Sequence, residues 1–177
     1  CAYCFYREKE ALYPHTRSWR MSDAVLESFT RQYIELQPPG EVVFSWQGGE
    51  PALPGIDFYR RALEMQQRWA NGRKVSNSFQ TNGILIGHDP SYAKDLSRFS
   101  NLYVRVSLKG ACPEDFVRLT GMKPEGFSLQ LKALEHLMAE GADCFPSVMA
   151  RFSSLEAIEE LRGRLREIRS DFADFEE

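Results

Sequence analysis

The sequence predicts an α/β domain in which parallel strands alternate along the chain with helices that cover one side of the sheet. Two observations support this fold class. Segments with helical spacing of apolar residues alternate with short β-branched and aromatic segments, and each predicted strand has one apolar and one more polar face. Because the chain has 177 residues, 43% of them hydrophobic and 27% charged, we expect a single domain with a sizeable core.

The first half contributes two helices and two strands. Ser22 is expected to cap the first helix, which ends at Pro38-Pro39-Gly40. A second helical stripe closes at Asn71-Gly72, and Asn82-Gly83 is predicted to form a turn. The predicted strands of this half are Val42–Trp46 and Val75–Thr81.

The second half repeats the alternation. Leu102–Leu108 alternates most cleanly and is predicted to be a strand, and Phe127 begins an amphipathic helix that ends at Gly141. Ser153 with Glu156 matches a capping box at the start of the last helix. The remaining predictions are a short helix over 92–99, an irregular segment over 110–126 with a helical turn near Asp115, a strand over 144–151 and a frayed acidic end over 171–177.

The order of elements leaves two topologies open. A loop, four helix–strand pairs and a last helix imply parallel strands with right-handed crossovers, as in an open doubly wound sheet or a (β/α) barrel. The strand faces favour the barrel, because a polar second face suits an interior that holds a ligand. A sheet with one wetted face is the alternative.

Composition excludes some classes of partner. The net charge of −3 gives no electrostatic reason to expect nucleic acid or an anionic membrane. No apolar run approaches the ~20 residues that a membrane helix needs, and no signal peptide is visible. The cysteines do not form a disulfide-scaffold pattern, so we expect a reducing, cytoplasmic location.

Three motifs lie where predicted strands end, and ligand sites of parallel α/β folds gather at that edge. Their glycines let the backbone approach a ligand, and Glu50 can accept hydrogen bonds from an ammonium group. Ser107 and Arg118 can bind hydroxyls or a carboxylate. Ordinary strand-to-helix turns are the alternative. The motifs are Gln47-Gly48-Gly49-Glu50-Pro51, Gln80-Thr81-Asn82-Gly83 and Ser107-Leu108-Lys109-Gly110.

Cys1 and Cys4 form a CxxC pair among aromatic residues and are predicted to be ligands of an iron–sulfur cluster. A zinc site and a thioredoxin-like dithiol are the alternatives. Zinc would need two further ligands, whereas the sequence has no second CxxC and no HxxxH, and its three histidines are scattered. A thioredoxin pair would follow a first strand.

With these motifs in place, the chain resembles the radical SAM superfamily and, within it, the anaerobic sulfatase-maturating enzymes. Cys1 and Cys4 match the second and third cysteines of the family's CxxxCxxC loop. The match is close from Cys1 to about Leu85, nearly half of the chain. It runs through CAYCFYREKEALYP, RMSDAVLESF, FSWQGGEPAL and QTNGILI.

The resemblance implies a partial (β/α)6 barrel, incomplete at both ends, with a 4Fe–4S cluster and S-adenosylmethionine as cofactors. Gly48, Gly49 and Glu50 would meet the methionine amino group, and Ser107 and Arg118 its carboxylate or the ribose. Gln47, Gln80 and Asn82 complete the implied cofactor-binding set. The implied reaction is reductive cleavage of S-adenosylmethionine and oxidation of a sulfatase Cys or Ser to formylglycine. A sulfatase-like peptide and an electron donor such as flavodoxin or ferredoxin are the implied partners.

Departures from the family pattern keep other interpretations open. The family's first cysteine would lie four positions before Cys1, so we expect residues 1–177 to be one truncated core domain. This core domain would consist of a cluster-binding loop over 1–20, β/α units over 21–170 and a frayed tail over 171–177. Where maturases typically have Ser, Ile or Leu, then Asp-Gly-Pro, this chain has Ser107-Leu108-Lys109-Gly110-Ala111.

The departures leave two alternatives: an activase of glycyl radical enzymes or another radical SAM enzyme, and a non-catalytic degenerate barrel or binding module that lacks the full cluster. As written, the chain is expected to be inactive alone. Cys112 could replace the missing ligand, but Cys112 and Cys144 are otherwise expected to be small buried residues.

Overall fold

The computed structural model describes residues 1, 2, 4, 6, 8, 12 and 21–175. Within them, four strands form one sheet in the order β1-β2-β3-β4, and every neighbouring pair is parallel. Because this order never reverses, it is that of a barrel wall and not of a doubly wound sheet. The strands are β1 (Val42–Trp46), β2 (Val75–Thr81), β3 (Leu102–Leu108) and β4 (Cys144–Val148).

Seven α-helices lie within residues 21–175; the first precedes β1, and the others connect or follow the strands. In that range and at the separately described N-terminal positions, no helix is long and apolar enough to cross a membrane. The helices are α1 (Asp23–Leu36), α2 (Ile56–Trp69), α3 (Ile84–His88), α4 (Pro90–Leu96), α5 (Pro113–Thr120), α6 (Glu125–Ala139) and α7 (Leu155–Ile168). Short 3-10 helices cover Ala150–Phe152 and Ser170–Asp174.

The predicted apolar face of the sheet is the packed one. Burial alternates along β3, whose four apolar side chains are buried while the residues between them are half-buried. α6 supplies the facing layer through Phe127, Leu131, Leu134 and Leu137. The helices therefore cover one side of the sheet and leave the more polar side open, as expected of part of a barrel.

Several predicted boundaries were wrong. β4 ends at Val148 and not at residue 151, because the chain turns into the 3-10 helix Ala150–Phe152. The last helix is capped by Ser154, whose hydroxyl accepts from the amide of Ala157 at 3.2 Å. Ser153, the predicted cap, instead accepts from the amide of Ala111 at 3.0 Å. The segment predicted to be irregular contains the full helix α5.

The acidic end is packed and not frayed as far as it is described. Phe172 and Phe175 are buried, and the Phe172 ring meets Phe145 of β4 edge-on at a centroid distance of 5.9 Å. Residues 176–177 lie outside the described residues. So does most of the predicted loop over 7–20, where Glu8 and Leu12 are described and Glu8 is helical.

Gly87→Ala is expected to destabilise the fold by about 3 kcal/mol or more, because it overpacks a helix contact. A Cβ atom at Gly87 would collide with the backbone carbonyl of Leu129 on α6, and backbone cannot rotate away as a side chain can. The measurement is urea unfolding of both proteins.

Gly163→Ala is the matched control for Gly87→Ala. Gly163 also lies in a helix, but nothing stands within 4 Å of the position that a Cβ atom would take there. Alanine should therefore stabilise α7 by about 0.5–1 kcal/mol through its higher helix propensity. Equal effects of the two substitutions would show that the α3–α6 contact is not tight.

Candidate functional site

The carboxylate of Glu50 lies where β1 and β2 end and is held by three hydrogen bonds. Its Oε1 accepts from the Thr81 hydroxyl at 2.6 Å and from the Ala52 amide at 3.0 Å. Its Oε2 accepts from the Asn82 amide at 2.9 Å. The three bonds join the turn after β1 to the turn after β2, so this carboxylate has a fixed position at the carboxyl edge of the sheet.

Two tyrosines hold the turn after β1 from the helix side. Tyr59 donates to the carbonyl of Pro51, and Tyr92 donates to the carbonyl of Ala52 at 2.8 Å. Burial raises the pKa of Tyr92 to about 12, so its hydroxyl remains a donor at neutral pH. The turn that carries Glu50 is therefore held by the two tyrosines from the helix side and by Thr81 and Asn82 from the turn after β2.

The first residues of the chain lie against the same turn. Gly48 has a φ of 89°, and a Cβ atom there would be 2.6 Å from the Tyr6 hydroxyl oxygen. Glycine thus meets two needs at once: it adopts a left-handed conformation, and it lets the tyrosine ring approach the backbone. Tyr6, two residues after Cys4, is therefore in contact with Gly48.

The cysteine pair forms a turn. The amide of Cys4 donates to the carbonyl of Cys1 at 3.1 Å, and the amide of Ala2 donates to the carbonyl of Leu119 at 3.1 Å. Both thiols are free, with Cys1 exposed and Cys4 partly buried. The turn is thereby attached to the end of α5, and its thiols stay accessible.

Lys109 directly follows β3, at the carboxyl edge of the sheet. Its ammonium group donates to the Ser107 hydroxyl at 2.7 Å. Burial lowers the pKa of this ammonium group, and the nearby charges of Cys4 and Glu50 act in the opposite direction. Asn82, whose amide binds Glu50, and Ser107 follow the last paired residues of β2 and β3, so Lys109 lies at the same edge of the sheet as Glu50.

The other predicted cofactor residues are more dispersed. Gln80 lies on the open face of the sheet and donates to Ser45 at 3.4 Å, and Gln47 is exposed beside it. Arg118 stands at the end of α5, where it pairs with Asp115 at 2.6 Å and donates to the carbonyl of Phe152. The Arg118 side chain and Ala2 line one hollow, so Arg118 borders the cysteine turn and not Glu50.

The donor chemistry fits an iron–sulfur cluster in part. Over the described positions, no group of three or more His, Cys, Asp or Glu side chains is arranged to hold a metal ion. The two thiols of the turn are soft donors of the kind that iron–sulfur clusters use. The turn thus offers two thiols of the right chemistry, and a cluster with three cysteine ligands would need one more.

The two later cysteines are poor substitutes for that third ligand. Cys144 is fully buried in β4, and burial raises the pKa of its thiol to about 11. Cys112 is only partly buried, contrary to expectation, and burial raises the pKa of its thiol too. A raised pKa disfavours the thiolate form that binds metals.

Sequence patterns alone do not identify two residues of the site. Lys109 stands out only as a departure from the family pattern, without a role. Gln130 of α6 is fully buried, and its side-chain amide binds the backbone of Asn82, Ser107 and Lys109. The sequence carries a signal for Gln130, because a glutamine that falls on the apolar stripe of a helix needs buried hydrogen-bond partners.

Comparison with known proteins gives a family match over most of the chain. Residues 1–165 match the family model of the radical SAM superfamily. A serine-type anaerobic sulfatase-maturating enzyme of Bacteroides thetaiotaomicron is 39% identical over 116 residues, which are 66% of this chain and 27% of that protein. A serine-type enzyme of Klebsiella pneumoniae is 51% identical over 89 residues, 49% of this chain and 21% of that protein. A cysteine-type enzyme of Clostridium perfringens is 38% identical over 111 residues, 62% of this chain and 29% of that protein.

Solved structures show the same likeness. Native anSMEcpe with bound AdoMet aligns with a TM-score of 0.68 and 31% identity over 84% of this chain and 40% of that chain. Native anSMEcpe with bound AdoMet and Kp18Cys peptide aligns with a TM-score of 0.66 and 32% identity over 84% of this chain and 39% of that chain. The chain thus spans less than a third of the length of these curated relatives.

Proposed function

This chain belongs to the radical SAM superfamily, and we propose that it forms the cofactor-binding part of an enzyme that oxidises a sulfatase serine or cysteine to formylglycine. The proposal is supported by the similarity to anaerobic sulfatase-maturating enzymes of both types. The observation that carries it is the contact of Tyr6, two residues after Cys4, with Gly48, beside the Glu50 carboxylate that three hydrogen bonds fix at one edge of the sheet. That edge is where parallel α/β folds bind their ligands.

The superfamily implies two cofactors, a 4Fe–4S cluster and S-adenosylmethionine. Cys1 and Cys4 would hold the cluster together with a third cysteine, which we place four positions upstream of Cys1. With both groups bound, they would supply the one-electron reductive cleavage of the sulfonium and the radical chemistry that removes a hydrogen atom from the substrate.

The chain's own residues would hold S-adenosylmethionine by its polar groups. Glu50 has a fixed carboxylate next to the exposed backbone of Gly48 and Gly49, and this arrangement suits an ammonium group. Ser107 would bind the methionine carboxylate or the ribose. Arg118 could do the same, because a guanidinium has five N–H donors and Asp115 does not use all of them. Gln47, Gln80 and Asn82 complete the proposed cofactor-binding set.

The open face of the sheet would border the reaction space. Its half-buried side chains include Gln80, Arg105 and Ser107, so a peptide there would meet polar groups next to the cofactor edge. A sulfatase peptide is the proposed substrate, and flavodoxin or ferredoxin the proposed electron donor. The free thiols of the cysteine turn support a reducing compartment, and we propose the cytoplasm.

The experiment uses a polypeptide extended upstream of Cys1 and through the downstream region that its relatives possess. After anaerobic reconstitution and reduction, it is incubated with S-adenosylmethionine and sulfatase-motif peptides that carry Ser, Cys or Ala at the target position. Mass spectrometry should detect the aldehyde in the Ser or Cys peptide and no change in the Ala peptide. Formation of 5′-deoxyadenosine without any peptide oxidation would exclude sulfatases as substrates and leave the radical chemistry standing.

One observation favours a second candidate, an activase of glycyl radical enzymes. Lys109 occupies a position where maturases typically have Asp, and its ammonium group lies inside the site. The same reconstituted protein distinguishes the two functions. An activase would generate a glycyl radical, visible by electron paramagnetic resonance, in a partner enzyme and would leave the sulfatase peptides unchanged.

A further inference from the structure

Gln130 connects three backbone groups at the cofactor edge through one side-chain amide. Its Nε2 donates to the carbonyl of Asn82 at 2.7 Å and to the carbonyl of Ser107 at 2.9 Å. Its Oε1 accepts from the amide of Lys109 at 3.1 Å. The Gln130 side chain is fully buried, and its three backbone partners belong to half-buried residues.

These bonds begin where the pairing of β2 with β3 ends. The last paired residues are Thr81 and Val106, and the next residues in the same register are Asn82 and Ser107. The Gln130 amide bridges the carbonyls of these two residues, and thereby keeps the two strand ends at a set separation beyond the sheet. Without it, the two carbonyls would lose their buried donor, which is costly.

α6 is pressed against the turn that Gln130 holds. A Cβ atom at Gly83 would be 2.8 Å from Val106 and 3.1 Å from the Cβ of Ala133 on α6. The backbone of the turn therefore lies close enough to α6 for a glutamine side chain to reach both strand ends. The turn thus packs against the core on the α6 side, and its other side faces the cofactor edge.

The same network continues to the predicted ligands of S-adenosylmethionine. The amide of Asn82, whose carbonyl Gln130 holds, donates to Glu50 at 2.9 Å. Lys109, whose amide Gln130 holds, donates through its ammonium group to the Ser107 hydroxyl at 2.7 Å. Gln130 thus touches the backbone on both sides of the proposed site, although its own side chain is buried behind it.

We propose that Gln130 is a positioning residue for S-adenosylmethionine, which sets the distance between Glu50 on the amino side of the ligand and Ser107 on the carboxylate side. The inference rests on the proposed function of this edge as the cofactor site. Residues that orient ligand groups from behind commonly affect affinity by about 10- to 100-fold. A loss of that size is expected when the three bonds are removed.

The test is the affinity of the reconstituted, upstream-extended protein for S-adenosylmethionine, measured by anaerobic isothermal titration calorimetry. Gln130→Met, which keeps the length of the side chain and removes its hydrogen bonds, should bind about tenfold or more weakly. The change that the ligand causes in the electron paramagnetic resonance signal of the reduced cluster should require correspondingly more ligand. This spectroscopic titration reports the placement of the ligand and not merely the stability of the fold.

Gln66→Met is the matched control. Gln66 is also buried, and it exchanges hydrogen bonds with the side chain of Asn77 at 2.9 and 2.8 Å, but it binds neither strand end. This variant should lose stability to urea as Gln130→Met does and retain wild-type affinity. If Gln130→Met does not fold, the pair Gln130→Asn and Gln66→Asn replaces it, because asparagine keeps an amide that is too short to bridge.

Three outcomes would overturn the inference. Wild-type affinity in the Gln130 variants would show that the bridge does not position the ligand. Equal weakening in the Gln66 variants would reduce the effect to general stability. A wild-type protein with an intact cluster that binds no S-adenosylmethionine would instead refute the proposed function, and the inference with it.

Discussion

Replacement of Cys4 by alanine in the upstream-extended protein is expected to abolish reductive cleavage of S-adenosylmethionine. Cys4 lies two residues before Tyr6, which contacts Gly48 in the turn that carries Glu50, and would be a direct cluster ligand. Residues that only support a metal ligand are already worth about 10- to 100-fold, so the loss of a ligand should exceed two orders of magnitude. The measurements are iron and sulfide content after reconstitution and 5′-deoxyadenosine formed after reduction.

Cys144→Ala is the matched control, since it removes a thiol that is fully buried in β4. It should retain the cluster and lose only a little stability. Cys112→Ala should behave in the same way. Retention of the cluster in Cys4→Ala would contradict the proposed ligand set. Loss of the cluster in Cys112→Ala would point to Cys112 as a ligand.

Glu50→Gln is expected to weaken both the fold and the binding of S-adenosylmethionine. The carboxylate accepts three hydrogen bonds, whereas an amide would direct its NH2 group at one of the donors. The unsatisfied donor and the lost charge should cost about 2 kcal/mol of unfolding free energy. Loss of the charge that faces the ligand ammonium should reduce affinity about tenfold, which corresponds to ~1.4 kcal/mol.

Glu41→Gln is the control for removing a carboxylate next to β1 but away from the proposed site. Glu41 precedes β1 and pairs with Lys74 at 3.1 Å on the surface, at the opposite end of the strand from Glu50. Surface pairs of this kind contribute little, so urea unfolding and ligand affinity should both stay at wild-type values. A Glu50→Gln protein with unchanged affinity would show that this carboxylate supports the turn and does not meet the ligand.

Much of the fold could be predicted because each strand carries its own signal. The alternation over Leu102–Leu108 identified both the strand and its buried face, as the structure confirms. α3 could not be found in the same way, because five residues after an Asn-Gly turn are too few to show a helical period. It is held instead by its contact with α6, where Gly87 lies against Leu129.

The end of the chain shows a second limit of local patterns. Asp171 and its acidic neighbours suggested a frayed tail, but Phe172 is fully buried and packs on Phe145 of β4. Phe145 lies far away in the sequence. Nothing in a short acidic segment reveals that a distant strand offers such a partner.

The candidate site could be predicted at the level of its motifs and not of its network. Glu50 stood out because glycines precede it, but its bonds to Thr81 and Asn82 exist only once β1 and β2 are paired. The position of Gln130 on the apolar stripe of α6 signals buried hydrogen-bond partners, but the sequence does not reveal that these partners are the backbone groups of two strand ends. Lys109 was visible only as a departure from a family pattern, and its burial next to Ser107 needed the structure.

The most direct test of radical chemistry at this edge of the sheet is chromatographic measurement of 5′-deoxyadenosine. The upstream-extended polypeptide is reconstituted with iron and sulfide, shown by its spectrum to hold a 4Fe–4S cluster, reduced and given S-adenosylmethionine. The nucleoside should accumulate in the wild-type protein and not in Cys4→Ala. A protein with an intact cluster that releases no 5′-deoxyadenosine would contradict the assignment of this edge as a site for radical chemistry.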